Sequence, residues 1–192
     1  TFGLAAGLKP GPLGVFVIHQ TISKGILNGF MASLAPIVTD GPIILLACLL
    51  TSQFNDISWF ISAISIFGSI YLVYISYKIF KTPNSINPYG SGSKIASLVT
   101  AIKINFLNPA PYIFWLTIGS GYIFMGSSFD ASVFIICAIF SLCISKFGVA
   151  LAVKKLGAQL NPRVYSALLK LLSVPLLVFG GQLLCSGISI WL

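Results

Sequence analysis

Residues 57–77 read ISWFISAISIFGSIYLVYISY, 21 consecutive positions without a charged side chain. A helix of about 20 apolar residues crosses the ~30 Å hydrocarbon core of a bilayer, so this stretch is long enough to cross alone. Working outward, Leu171–Leu192 is a second charge-free run, and Ile104–Phe129 a third that prolines interrupt. Phe30–Thr51 is apolar except for Asp40, and Ala131–Val153 except for Lys146. Thr1–Gln20 is apolar as well but carries Lys9 and the run Pro10-Gly11-Pro12. The reading is an all-α polytopic membrane protein with six transmembrane helices and no separate soluble domain.

Composition agrees. Apolar residues make up 57% of the 192 positions and charged residues only 7%, which is too few to cover a water-facing surface. Disorder is excluded on the same ground, since nothing here is polar enough to stay solvated. Lys and Arg number 11 against three acids, a net charge of +8. In a membrane protein such an excess reports loops held on the cytoplasmic side rather than a nucleic-acid surface.

The polar breaks between spans alternate in charge. Thr21–Gly29 holds Lys24, Thr82–Gly92 is flanked by Lys78, Lys81 and Lys94, and Lys154–Arg163 is basic at both ends. Ser52–Asp56 and Gly126–Asp130 carry only an aspartate each. The positive-inside rule puts the first, third and fifth connections in the cytoplasm and both termini outside. The opening residues, which start on Thr within an apolar stretch, lack the basic flank and cleavage-type site of a signal peptide. Cys48, Cys137, Cys143 and Cys185 lie in apolar runs without a CxxC pair, and His19 is the sole histidine. The thiols therefore read as packing residues, with no metal site or cofactor expected. His19 and Gln20 read as interfacial residues closing the first span, and the aromatic residues as packing and interface anchors.

The two halves resemble each other. Lys9-Pro-Gly-Pro12 matches Asn108-Pro-Ala-Pro111, Phe67-Gly68 matches Phe179-Gly180, and Thr39-Asp40-Gly41 falls opposite Ser145-Lys146-Phe147. Three spans per copy require the second copy to be inverted across the membrane. The expected organisation is repeat one over 1–81, a cytoplasmic linker over 82–95, and repeat two over 96–192, each repeat with a broken first helix.

Asp40 is the most informative residue. A carboxylate at the middle of a span costs about 2.5–3.5 kcal/mol on insertion scales, so it is kept for a reason. Pro36 and Pro42 flank it and are expected to free the carbonyls of Ala32 and Val38. Acceptors gathered around an acid suit an ammonium group, a metal ion or a proton. Lys146 is the expected partner of Asp40. Pro10, Pro12, Pro109 and Pro111 are expected to free the carbonyls of Ala6, Leu8, Asn105 and Leu107, and the half-helix after each break offers N–H groups to an anion. Lys9 and Asn108 precede the two breaks. The competing reading of all these residues is structural: an ion pair that positions two spans, and kinks that serve packing.

Gly7-Leu-Lys-Pro-Gly-Pro12, Gly29–Pro42 ending in Thr-Asp-Gly-Pro, Gly68–Lys78 and Leu107–Trp115 together resemble the LysE-type amino-acid exporter family. The resemblance covers nearly the whole chain. It implies a permease of the bacterial inner membrane that exports amino acids or related small compounds and is driven by protons. It carries Pro10, Gly11, Pro12, Asp40, Asn108 and Pro109 over as matching residues. Two departures stand out: Ala110 replaces the Lys of the common Asn-Pro-Lys, and Lys9 precedes the first Pro-Gly-Pro where many relatives are uncharged. The substrate of better-known members therefore does not transfer. Small-molecule cargo, protons and the lipid bilayer are the expected partners, with room for a homo-oligomer. The alternatives are a divalent-cation exporter of the wider superfamily, disfavoured by the shortage of acids, and a scaffold without transport. An enzyme is the least favoured, for want of clustered catalytic groups.

Overall fold

The computed structural model describes residues 7–8, 11–53, 58–81, 93–119, 123, 127–157, 167 and 170–189. Among them the regular elements are helical: α1 (Pro12–Lys24), α2 (Ile26–Ser33), α3 (Ala35–Gln53), α4 (Ser58–Lys81), α5 (Lys94–Phe106), α6 (Pro109–Phe114), α7 (Ser128–Gly157) and α8 (Ser173–Ser189). A π-helical turn, Trp115–Gly119, continues α6. Three described stretches are long and apolar enough to cross a membrane: Ile26–Leu50, Ser58–Lys81 and Ser128–Lys155. The shorter α8 is apolar too.

The polar break expected over Thr21–Gly29 shrinks to one residue. Thr21, Ser23 and Asn28 turn their side chains back onto the carbonyls of Val17 (2.8 Å), His19 (2.7 Å) and Lys24 (2.8 Å). Their polarity is absorbed within the helix, so the chain does not need a loop. Only Gly25 interrupts it, at φ 89° and ψ 169°, a backbone conformation that is essentially confined to glycine. The next interruption, at Leu34, restarts the helix so that Pro36 is the second residue of α3, where its missing N–H has no partner to lose. The Ala32 carbonyl is not left open there, because the Leu34 N–H reaches it.

The break in the second half falls inside a longer element than the span expected over Ile104–Phe129. Ser93 caps α5 with its hydroxyl on the Ala96 N–H, so the helix starts at Lys94. It stops at Leu107, and Asn108 begins α6. At the start of α7, Ser127 and Asp130 form a capping box. The Ser127 N–H and hydroxyl donate to Asp130 Oδ2, and the Asp130 N–H donates to Ser127 Oγ.

Small residues set the packing. Helices α4 and α8 run antiparallel, tied by hydrogen bonds from Ser62 Oγ to the Gly187 carbonyl and from Ser76 Oγ to the Ser173 carbonyl. Gly180 lets α8 approach Ser69, Leu72 and Val73 of α4. Gly68 is more constrained, since a Cβ there would run into the carbonyl of Leu107 at the break.

A polar junction ties α5 to α1 and α2. Ser97 of α5 donates toward Gln20 Oε1 (3.0 Å) and Asn28 Oδ1 (2.9 Å), all three buried. His19 and Gln20, expected at the interface, are therefore inside: α5 covers the end of α1, and His19 stacks on Phe16. Lys24 lies beside this junction. Its ammonium pKa is lowered by burial and then by the charge of Lys78.

Candidate functional site

Asp40 sits one turn after Pro36 in α3 and is 2% exposed. Its Oδ1 accepts from Thr39 Oγ1 (3.1 Å) and Asn105 Nδ2 (3.2 Å), and its Oδ2 accepts from Trp115 Nε1 (3.2 Å). Asn105 Nδ2 also lies 2.6 Å from Thr39 Oγ1, which is itself 3.0 Å from the Ala35 carbonyl. A carboxylate has about four lone-pair positions, two on each oxygen. Asn105 and Trp115 take one on each oxygen, the single Thr39 hydroxyl proton is shared between Asp40 Oδ1 and the Ala35 carbonyl, and a position on Oδ2 remains.

These partners come from the break. Asn105 is in the last turn of α5, and Trp115 opens the π turn, whose wider winding shifts the register after it. Sequence reasoning treated Trp115 as packing and passed over Asn105. The available signal was a buried-type polar residue, Asn105, in an otherwise apolar run three residues before Asn108.

The break itself is well satisfied. Asn108 Oδ1 accepts from the Ala110 N–H (3.1 Å), and Tyr112 OH donates to the Phe106 carbonyl (2.9 Å). In an unbroken helix those two backbone groups would have bonded each other. The Asn105 carbonyl, expected to be freed by Pro109, accepts from the Asn108 N–H at 3.2 Å. The expectation of an open helix start after both breaks is therefore corrected for the second, where Asn108 acts as the cap. It stands differently at the first: Gly11 is the N-cap of α1 and supplies no side-chain acceptor.

One cavity of about 350 Å³ joins these features. Asp40, Asn105, Asn108, Lys146 and Gln182 give it polar groups; Gly11, Pro12, Leu13 and Gly14 of the α1 entry form one wall. Pro36, Ala110, Pro111, Phe114, Trp115, Leu142, Phe179 and Leu183 complete it. Of the sequence-picked residues, Asp40, Lys146, Gly11, Pro12, Asn108 and Pro111 line this cavity. Pro109 is buried as the first residue of α6 and is not in the lining. Lys9 and Pro10 lie outside the described residues.

Lys146 is 7% exposed and reaches across from α7 to the start of α1. A Cβ on Gly14 would stand 3.3 Å from its Nζ, so the ammonium rests against the first turn of that helix. Gly7 packs onto neighbouring Ser145, where a Cβ would come within 2.5 Å of the serine Cβ. Among the described contacts of Asp40 the expected pairing with Lys146 does not occur. The described donors to Asp40 are Thr39, Asn105 and Trp115, which take up most of the carboxylate. The two charges instead face one cavity. An ammonium at a helix start adds to the positive end of the helix dipole, so that corner favours an anion.

No curated protein and no solved structure matches the chain. A family model does: that of the LysE type translocator, over residues 4–187. That match spans essentially the whole chain and agrees with apolar helices built for a bilayer, so the chain belongs to the LysE-type translocator family and is a membrane-embedded efflux transporter of amino acids or similar compounds.

Proposed function

We propose that the protein exports a small amino acid or amino compound from the cytoplasm across the bacterial inner membrane in exchange for protons. The observation that carries this reading is a shared cavity with Asp40 on one side and Lys146 over the start of α1, which has no side-chain cap, on the other. The cargo's ammonium takes the remaining acceptor position on Asp40 Oδ2. Its carboxylate takes Lys146 and the first turn of α1. Because that acceptor position serves either an ammonium or a proton, cargo and proton exclude each other. Exchange across the membrane follows from that competition once the cavity opens alternately to the two sides.

The architecture we propose for this cycle is six spans in two inverted repeats, 1–81 and 96–192, joined by a cytoplasmic linker over 82–95, with both termini outside. The antiparallel pairing of α4 with α8 supports it, as a two-fold axis in the membrane plane requires the third helices of the two copies to run oppositely. The basic residues Lys24, Lys78 and Lys81, all at helix ends, support a shared cytoplasmic side. The donor set argues against a divalent-cation cargo. A hard cation wants six or more oxygen ligands, whereas Asp40 is surrounded by an indole N–H, an amide NH₂ and a hydroxyl.

The test is efflux from proteoliposomes loaded with an amino acid and a pH-sensitive dye. Amino-acid efflux that acidifies the lumen supports proton exchange, and efflux with no pH change contradicts it. If no amino acid leaves, the exporter assignment itself fails.

A further inference from the structure

The cavity also constrains what the cargo can be. The chain contains three carboxylates: Asp40, Asp56 and Asp130. Asp130 is exposed and committed to Ser127 as the cap of α7, and Asp56 falls in the short connection read between the second and third spans. A cargo with two cationic groups would find one carboxylate, Asp40, and would bring its second charge toward Lys146 or an apolar wall. A cargo with two anionic groups would find Lys146 for one of them and no further basic side chain among the described lining.

The remaining wall settles the side chain. Phe179 and Leu183 stand one turn apart on α8, both facing the cavity, and Leu142 and Phe114 continue that surface. A charged side chain pressed there would lose its water and find only the neutral amide of Gln182 between the two apolar residues, with no counter-charge, which is unfavourable. The volume of about 350 Å³ lies at the low end of ligand pockets, ~300–1,000 Å³, and so fits one amino acid and not a peptide.

We infer that the cargo is a neutral amino acid with an apolar side chain, which seats against Phe179 and Leu183. This rests on the exporter reading above. It makes those two residues the ones that set specificity.

Counterflow in proteoliposomes of the unmodified protein, run with leucine, phenylalanine, lysine and glutamate, tests it. Leucine or phenylalanine should exchange at least about tenfold faster than lysine and glutamate, the ratio that about 1.4 kcal/mol of discrimination gives. Lysine or glutamate exchanging as fast as the apolar pair overturns this inference and leaves the exporter reading standing. Silence for all four overturns both. Leu183→Glu adds a second acid to the wall, so the lysine-to-leucine ratio should rise. An unchanged ratio in the folded variant overturns the placement of the side chain.

Discussion

The bond between Trp115 and Asp40 can be tested by a double-mutant cycle. Trp115 is 1% exposed and gives its indole N–H to Asp40 Oδ2 at 3.2 Å. Trp115→Phe keeps an aromatic ring against Phe114 and Phe134, whose centroids lie 5.1 and 6.1 Å away. What it removes is a hydrogen bond to a charged group, about 1.5–3 kcal/mol. The lost ring also leaves a void, and at ~24 cal/mol per Å3 of cavity a few tens of Å3 add about 1 kcal/mol. In an Asp40→Asn background the amide oxygen stays with Thr39 and Asn105, and its NH₂ meets the Trp115 N–H donor to donor. There Trp115→Phe should cost only the void. The two substitutions should therefore couple by about 1.5–3 kcal/mol, well above the ~0.5 kcal/mol within which independent sites add. The assay is reversible unfolding of the four purified proteins in mixed micelles, titrated with denaturing detergent. Additivity would refute the reasoning, because it would mean that the indole does not hold the carboxylate.

Other consequences follow from single contacts. Gly68→Ala forces a Cβ onto the Leu107 carbonyl, and overpacking of this kind costs about 1–3 kcal/mol. Gly181→Ala, with nothing within 4 Å, should instead stabilise α8 by up to about 1 kcal/mol. Thermal melts of the two variants should shift in opposite directions. Gly25→Ala should destabilise by about 1–3 kcal/mol, since the junction of α1 and α2 needs φ 89°, and the same melts read it. Lys146→Gln should raise the half-saturating amino-acid concentration at least about tenfold with little loss of fold, as expected for a lost carboxylate partner worth 1.4 kcal/mol or more; counterflow measures it.

Much of this was legible in the sequence for a simple reason: in a bilayer every charge and proline is expensive, so each one retained is conspicuous. Asp40, Lys146, Pro12 and Pro111 were picked that way, Asn108 by its place before the second break and Gly11 by the family resemblance, and all six line one cavity. The sequence was less informative about how polar groups satisfy one another. Thr21, Ser23 and Asn28 looked like a loop because their return to helix carbonyls is invisible in composition. Asn108 looked like an anion-binding helix start but caps its own helix. Trp115 and Asn105 reach Asp40 from the two sides of the break, which spacing alone does not reveal. The Asp40–Lys146 pair was expected from pseudo-symmetry, which says which residues correspond but not how far apart the cavity holds them.

The measurement that tests the central claim most directly is binding of a radiolabelled apolar amino acid to the purified protein, compared among the unmodified chain, Asp40→Asn and Asp130→Asn. Binding should be lost with Asp40→Asn, which removes the counter-charge in the cavity. It should persist with Asp130→Asn, which alters only the exposed cap of α7. Unchanged binding in a folded Asp40→Asn protein would contradict the account.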